Sequence, residues 1–201
     1  MKRTWIRQAA TLTLLGLAGV AGAAEIEALK VAYAKGTFTV DAQMLLQAPV
    51  AAVRAALTDY EHLDQLSDAI AESHLLRQDA DAATVFTRSR ACAGWFCREI
   101  RKTERVTQTA DTIVAEADPA LSNVEHSVTR WHFIAVGDRT RVVWRVEVDP
   151  AFFIPPLIGP PLVKSAMQRE GEAMAIGLER AARAIVARSE QAAPLAPSPG
   201  R

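Results

Sequence analysis

The sequence predicts an α+β domain in which a curved, seven-stranded antiparallel sheet wraps around one long C-terminal helix, with two short helices after the first strand. Three observations lead to this prediction. Segments of alternating apolar and polar residues, separated by turn residues, recur from residue 37 to residue 149, as in an antiparallel meander. A short helical interruption follows the first of them, and a helical period begins near residue 162. The chain has 201 residues, which suits one domain of this kind.

The first predicted strand covers residues 37–47, where Phe38, Val40 and every second residue after them share one face. Pro49 then occupies a position that suits the first turn of a helix, and the apolar side of that helix continues to Leu57. A second short helical stretch is predicted from Tyr60 to Leu66. Alternation then predicts six more strands, at residues 70–77, 82–91, 97–107, 111–117, 124–136 and 140–149.

The C-terminal helix is predicted from Leu162 to about Arg188, because its apolar residues fall on one side and its charged residues on the other. The preceding segment, residues 151–162, is apolar and rich in proline, so we expect no regular helix there. Residues 189–201 have low complexity and are predicted to form a disordered tail. Only the long helix is large enough to cover the apolar face of the curved sheet, and a cavity is expected between the two.

Residues 1–23 have the three-part pattern of a secretory signal peptide. A basic start is followed by an apolar run from Ala9 to Val20 and by small residues up to Ala23, and this run is too short to span a membrane. We therefore predict cleavage near Ala23, a mature domain of residues 24–188, and a periplasmic or secreted location. The formal net charge of zero argues against a protein that binds nucleic acid.

Cys92 and Cys97 lie close together in the segment CAGWFC. In an oxidising compartment they can form a disulfide, which is the interpretation we favour. Two free thiols are the alternative. A redox-active pair is less consistent with the spacing, which is not CxxC.

The polar residues show no catalytic or metal-binding motif. The histidines are scattered without metal-ligand spacing, at His62, His74, His126 and His132. The acidic residues around His62 are typical of a solvated helix face, and the basic run from Arg88 to Arg105 is expected on an exposed face of the sheet. We therefore predict no catalytic residue, no metal and no cofactor.

Two segments resemble a known family. One is Ala48-Pro49 followed by Val53, Leu57 and the run TDYEH at residues 58–62, and the other is the run PAFFIPPLIGP at residues 150–160. Together with the element order, they resemble the START-like helix-grip superfamily (SRPBCC), and within it the polyketide cyclase/dehydrase and coenzyme Q-binding START-domain group. The resemblance covers about residues 33–187. It implies a helix-grip fold that binds a lipid, quinone or polyketide in a central cavity, and only some members are enzymes.

The predicted ligand-binding residues form two groups. Alternate hairpins of a meander lie at the same end of the sheet, so apolar loop residues should form one rim: Trp95, Phe96, Phe152, Phe153 and Leu157. This rim is either a ligand mouth or a membrane-contact surface, unless Phe152 and Phe153 plug the core. Inside the cavity we expect apolar residues and one polar group of the helix: Trp131, Phe133, Trp144, Met167, Met174 and Glu170.

These predictions favour a monomeric protein for the binding or transport of a hydrophobic small molecule or lipid, without chemistry. Two alternatives stay open. In a cyclase or dehydratase acting on a polyketide-like substrate, a buried polar group such as Glu170 would do acid–base work. In an interaction module, the rim would dock on a membrane or a protein and the cavity would be filled.

Overall fold

The structure is a computed structural model, and it describes residues 24–93 and 96–192. The predicted signal peptide (residues 1–23), Trp95 and residues 193–201 of the predicted tail lie outside the described residues. The expectations for these parts of the chain therefore stay predictions.

An antiparallel sheet and a long helix make up the described residues, which confirms the predicted α+β helix-grip fold. In chain order the elements are β1 (Glu25–Ala34), β2 (Thr37–Leu46), α1 (Val50–Thr58), β3 (Ile70–Gln78), β4 (Ala82–Ala93), β5 (Phe96–Gln108), β6 (Thr112–Ala117), β7 (Val124–Val136), β8 (Arg139–Pro150) and α2 (Gly159–Ala192). Across the sheet the strands follow the order β1-β2-β8-β7-β6-β5-β4-β3. α2 packs on the inner face of this sheet.

The sheet has eight strands among the described residues, whereas the sequence predicted seven, and the additional strand is β1. β1 and β2 form a hairpin whose turn residues, Lys35 and Gly36, have positive φ angles of 53° and 97°, as a tight hairpin turn requires. The prediction missed β1 because its register shifts between Ile26 and Ala28. Apolar residues consequently move from even positions (Ile26) to odd ones (Leu29), which hides the alternation.

The predicted helical stretch from Tyr60 to Leu66 contains only one 3₁₀ turn, Leu63–Gln65. The polar groups of this segment bind β3 instead of completing a helix. The Leu63 N–H donates to Ser73 Oγ (3.1 Å), and the Glu61 carboxylate accepts a hydrogen bond from the Leu75 N–H (2.8 Å). Bonds between side chains and backbone compete with helix formation in this way.

α2 is longer at both ends than the predicted helix. The expectation that residues 151–162 contain no regular helix is wrong for residues 159–162, which form the start of α2. Pro160 and Pro161 are accepted there because the N–H groups of a first turn have no partner within the helix. At the other end, residues 189–192 of the predicted tail continue the helix, since they include no glycine or proline that would end it. At about 1.5 Å per residue, the 34 residues of α2 extend about 51 Å.

The hydrophobic core lies under the C-terminal half of α2. Leu178 and Ala182 are fully buried there, in the same cluster as Val53 of α1. Gly177 allows a close approach to the 3₁₀ turn, because a Cβ at this position would lie 1.9 Å from the Leu66 carbonyl oxygen. The C-terminal half of α2 is thus packed tightly on the domain, whereas the N-terminal half lies over a cavity.

Candidate ligand-binding cavity

A cavity of about 420 Å³ lies between the inner face of the sheet and the N-terminal half of α2. Its volume is in the range of pockets that hold small organic ligands. Five residues of α2 line it: Val163, Ala166, Met167, Glu170 and Met174. At the end near α1 it is bounded by Leu57, Tyr60, Leu63 and Leu66. The helix side of the cavity is therefore mostly apolar and flexible.

Two stacked tryptophans form part of the sheet side. Trp131 of β7 and Trp144 of β8 are partners in the sheet register, and their ring centroids lie 4.9 Å apart with an interplanar angle of 10°. Ile113 of β6 extends this row. All three are buried and line the cavity. The structure thus places these tryptophans, with Met167 and Met174 of α2, in the cavity wall where the sequence predicted them.

Phe133, which was also predicted inside the cavity, does not line it. It shares the inward face of β7 with Trp131 but lies one row closer to α1, where it is 4% exposed within the core. The Arg54 guanidinium of α1 lies 5.4 Å from its ring centroid. Alternation along a strand predicts the face of a residue, but not where on that face the helix leaves a gap.

The predicted rim divides into lining and exposed residues. Phe96 and Phe152 line the cavity, and so does Ile154 in the connection between β8 and α2. Phe153 and Leu157 do not line it, and they are 76% and 91% exposed. Phe153 therefore does not plug the core, and whether Phe153 and Leu157 belong to a ligand mouth or to a membrane-contact surface stays a prediction. From Phe152 to Ile154, successive side chains alternate between the cavity and the solvent.

The β4–β5 hairpin beside the cavity carries the predicted disulfide. Cys92 and Cys97 are direct partners in the register of the two strands, and their sulfur atoms are bonded. Cys92 and Phe96 both line the cavity. The disulfide therefore ties two strands together at this end of the cavity wall.

A group of polar residues lies on the sheet side of the cavity, and the sequence did not predict it. Three strands contribute to it: Thr87 of β4, Lys102 and Glu104 of β5, and Ser127 and Thr129 of β7. Lys102 Nζ lies 2.7 Å from Glu104 Oε1, and the two side chains are only 20% and 9% exposed. The expectation that the basic run lies on the outer face of the sheet is therefore wrong for Lys102 and Arg98, which both line the cavity. The sequence contains an indication of this placement. Lys102 and Glu104 occupy even-numbered positions of β5, as do the apolar residues Ile100 and Val106, so all four lie on the same face of the strand.

Two buried polar atoms of the cavity wall have no hydrogen-bond partner among the described residues, Ser127 Oγ and Trp144 Nε1. Both side chains line the cavity. The indole N–H can only donate a hydrogen bond, whereas the hydroxyl can donate or accept one. Because unpaired buried polar groups cost free energy, these positions favour a ligand that brings oxygen atoms to them.

Glu170, the predicted polar group of the helix face, lines the cavity but already has a partner. Its Oε1 accepts a hydrogen bond from the Ser67 hydroxyl, and Ser67 Oγ accepts one from the Ala69 N–H (3.0 Å). Ser67 is 5% exposed. The carboxylate thus joins α2 to the segment before β3.

Outside the cavity, histidines and acidic residues form exposed pairs. His62 Nδ1 lies 2.8 Å from Asp59 Oδ1, and His74 lies 3.1 Å from Glu61 and 3.0 Å from Glu72. Hydrogen bonds to these carboxylates raise the pKa of both imidazoles. None of these residues lines the cavity. The described part of the chain contains no group of three or more His, Cys, Asp or Glu side chains that could hold a metal ion.

A curved antiparallel sheet, a long helix across it and an apolar cavity between them define a domain of the helix-grip class. A family model described as polyketide cyclase/dehydrase and lipid transport matches residues 37–190, and the chain belongs to this family. A search of curated proteins found no match. The family description names both enzymes and lipid transport, so membership does not choose between them.

Solved structures have the same fold. The Zhui aromatase/cyclase from a Streptomyces species has a TM-score of 0.63 at 15% identity, with 75% of this chain and 96% of that chain covered. For a STAR-related lipid transfer protein from Xanthomonas axonopodis, the TM-score is 0.59 at 17% identity, with 77% and 98% covered. For a START superfamily protein from Mycobacterium smegmatis, the TM-score is 0.59 at 16% identity, with 73% of this chain and 98% of that chain covered. At these identities the likeness shows the fold alone.

Proposed function

We propose that this protein binds a hydrophobic, lipid-like ligand in the cavity under α2 and carries it without changing it chemically. The observation that supports this most strongly is the cavity of about 420 Å³, with the stacked Trp131–Trp144 pair on one side and Met167 and Met174 on the other. Tryptophan supplies a large rigid apolar surface, and methionine adapts to chains of varying shape. Such a wall suits an alkyl chain or another extended apolar group.

The polar groups of the cavity support binding better than acid–base catalysis. Glu104 is paired with Lys102, and Glu170 accepts a hydrogen bond from Ser67, so both carboxylates already have partners within the protein. The unpartnered groups are a serine hydroxyl and an indole N–H. These can hold a ligand oxygen atom but do not titrate near neutral pH.

We also propose a periplasmic location after removal of residues 1–23. The signal-like pattern of these residues supports it. The Cys92–Cys97 disulfide supports it as well, because disulfides persist in oxidising compartments. In that compartment a carrier would shield the apolar surface of its ligand from water.

In this proposal the ligand enters from a lipid surface beside the connection between β8 and α2. Phe153, Leu157 and Ile158 of this connection are 76%, 91% and 57% exposed. Their neighbours Phe152 and Ile154 line the cavity, so apolar surface continues from the outside of the protein to its interior. Within residues 24–93 and 96–192, no helix has the length and hydrophobicity needed to cross a membrane.

A cyclase or dehydratase acting on a polyketide-like substrate is the second candidate. The carboxylates of Glu104 and Glu170 in the cavity wall favour it, because a cyclisation or dehydration needs a proton donor and acceptor beside the substrate. For an enzyme of this kind, Glu170→Gln should abolish turnover and leave the binding of an apolar probe intact. For a carrier, incubation with a polyketide-like substrate should yield no product in the wild type.

Binding of a fluorescent lipid probe to two matched helix variants tests the proposed cavity. Ala166 of α2 lines the cavity, whereas Ala173 of the same helix is exposed. Ala166→Trp should fill part of the cavity and raise the Kd of the probe by about tenfold or more. Ala173→Trp should leave the Kd unchanged. Equal affinity of the two variants, with both folded by circular dichroism, would contradict the cavity as the binding site.

A further inference from the structure

We infer that the ligand carries a negatively charged head group, and that Arg98 binds this group at the end of the cavity opposite the tryptophan pair. The inference rests on the proposed function and adds to it the charge and the orientation of the ligand. The apolar body would lie towards Trp131 and Trp144, and the head group towards the β4–β5 hairpin.

The inward face of β5 carries a different kind of residue at each end of the cavity, with Val106 at one end and Arg98 beside Phe96 at the other. Its lining residues are the even-numbered ones, from Phe96 to Val106. Val106 is the register partner of Ala115 in β6, beside the tryptophan row, whereas Arg98 lies close to the hairpin. At about 3.3 Å per residue, Val106 and Arg98 are about 26 Å apart along the strand. A ligand that follows this wall is elongated and has two chemically different ends.

Three arginines of β4 and β5 lie on the outer face of the sheet and have carboxylate partners, whereas Arg98 lies on the inward face. The three pairs are Arg88 with Glu72 (2.6 Å), Arg101 with Glu99 (3.6 Å) and Arg105 with Asp81 (3.7 Å). Arg98, on the inward face, forms no ion pair within the described ranges, and its guanidinium lies 4.5 Å from the Phe96 ring centroid. The inward face of β5 therefore carries one arginine whose charge has no carboxylate partner within the described ranges.

The other charged groups of the cavity do not neutralise Arg98. Lys102 and Glu104 neutralise each other at 2.7 Å, and Glu170 is hydrogen-bonded to the segment before β3. Arg90 also borders the cavity, although its register partner is the outer-face residue Glu99, and it has no carboxylate partner among residues 24–93 and 96–192. The hairpin end of the cavity thus has a positive charge that an anionic ligand would balance.

The guanidinium of Arg98 has one contact that restricts its side chain before a ligand binds. The Phe96 ring packs against the guanidinium, which is otherwise exposed to solvent at the hairpin end of the cavity. The Cys92–Cys97 disulfide joins the two strands immediately beside it. Arginine binds carboxylate or phosphate oxygens through two parallel hydrogen bonds, and a guanidinium that is already held loses little side-chain entropy on binding. This arrangement favours an oxygen-acid head group over a neutral one.

Binding of cis-parinaric acid, a fluorescent fatty acid, and of its methyl ester tests the inference, because the ester keeps the chain and lacks the charge. The wild-type protein should bind the acid about tenfold more tightly than the ester, as expected for one charge-assisted hydrogen-bonded pair. Higher ionic strength should reduce this preference, because the head-group site is partly exposed. Displacement of the acid by dodecanoate and by dodecyl phosphate then distinguishes a carboxylate from a phosphate head group.

Substitutions on the two faces of β5 assign the preference to Arg98. Arg98→Gln should weaken binding of the acid about tenfold and leave binding of the ester unchanged. Arg101→Gln, on the outer face of the same strand, is the matched control and should affect neither probe. The double variant Arg90→Gln/Arg98→Gln removes compensation by Arg90 and should show the larger loss for the acid. Thermal melts establish that each variant is folded.

The outcomes separate the inference from the proposed function. Equal affinity of the wild type for acid and ester would overturn the inference and leave the proposed carrier function standing. Equal weakening of both probes by Arg98→Gln would overturn it as well. Failure of the wild type to bind either probe would overturn the proposed function, and the inference with it.

Discussion

The close approach of α2 at Gly177 predicts different effects for two Gly→Ala substitutions in the same helix. At Gly177 an added Cβ would lie 1.9 Å from the Leu66 carbonyl oxygen and 2.7 Å from the carbonyl carbon. These are backbone atoms, so only a shift of the helix or of the turn relieves the contact. At Gly171 the nearest atoms are the methyl groups of the Leu29 side chain, at 3.1 and 3.4 Å, and these can move.

The expected magnitudes follow from two opposing effects. Alanine stabilises a helix interior by about 1 kcal/mol relative to glycine, whereas overpacking costs about 1–3 kcal/mol and occasionally more. Because the contact at Gly177 is with backbone, Gly177→Ala should lower the free energy of unfolding by about 2 kcal/mol net. Gly171→Ala should leave it unchanged or raise it by up to about 1 kcal/mol. For a domain of this size, a loss of about 2 kcal/mol lowers the Tm by about 4–8 °C.

Thermal melts of the two variants and the wild type, followed by circular dichroism, measure these differences. Gly177→Ala should also weaken the binding of an apolar probe, because a displaced α2 changes the cavity beneath its N-terminal half. If Gly177→Ala is as stable as the wild type, or more stable, then α2 is not held against the 63–66 turn in the way described here.

Two further predictions concern the disulfide and a histidine. Replacing both Cys92 and Cys97 with Ser should lower the free energy of unfolding in urea by about 2 kcal/mol. The unreduced, denatured wild type should contain no free thiol, and a titration that finds two reactive thiols would show that the disulfide does not form. Carboxylates raise the pKa of His74 in the folded state, so its stabilising contribution is complete below the ordinary pKa and is lost as the pH rises through the raised value. Titration by NMR should show that raised pKa, and Glu61→Gln should lower it; a pKa that does not change in the variant would show that Glu61 does not cause the shift.

The strands were predictable where the alternation is uninterrupted. The predicted strands 124–136 and 140–149 correspond closely to β7 and β8. β1 was missed because the shift after Ile26 moves its apolar residues to the other parity. The predicted start of α2 was too late because Pro160 and Pro161 were expected to exclude a helix. Proline disrupts the interior of a helix, but it is accepted in the first turn.

The candidate site was only partly predictable, for physical reasons. Trp131 and Met167 followed from periodicity, since the apolar faces of a sheet and a helix must meet. Lys102 was expected in solvent because charged residues are rarely buried, and its partner Glu104 becomes visible only when the parity of β5 is followed. The extent of the cavity depends on the approach of α2 to Leu66, a contact between distant parts of the chain that no local pattern contains.

Native mass spectrometry of the protein purified from the periplasm can detect directly a ligand that the cavity holds without a covalent bond. We expect a mature chain with the added mass of a lipid-like molecule, which organic solvent extracts and which is detected as an anion. Ala173→Trp should retain this added mass, and Ala166→Trp should lose it. As a control, a fatty acid added to the purified protein should remain bound under the same conditions. If that control succeeds and the protein as purified shows only the mass of the bare mature chain, the cavity does not carry a ligand in the periplasm.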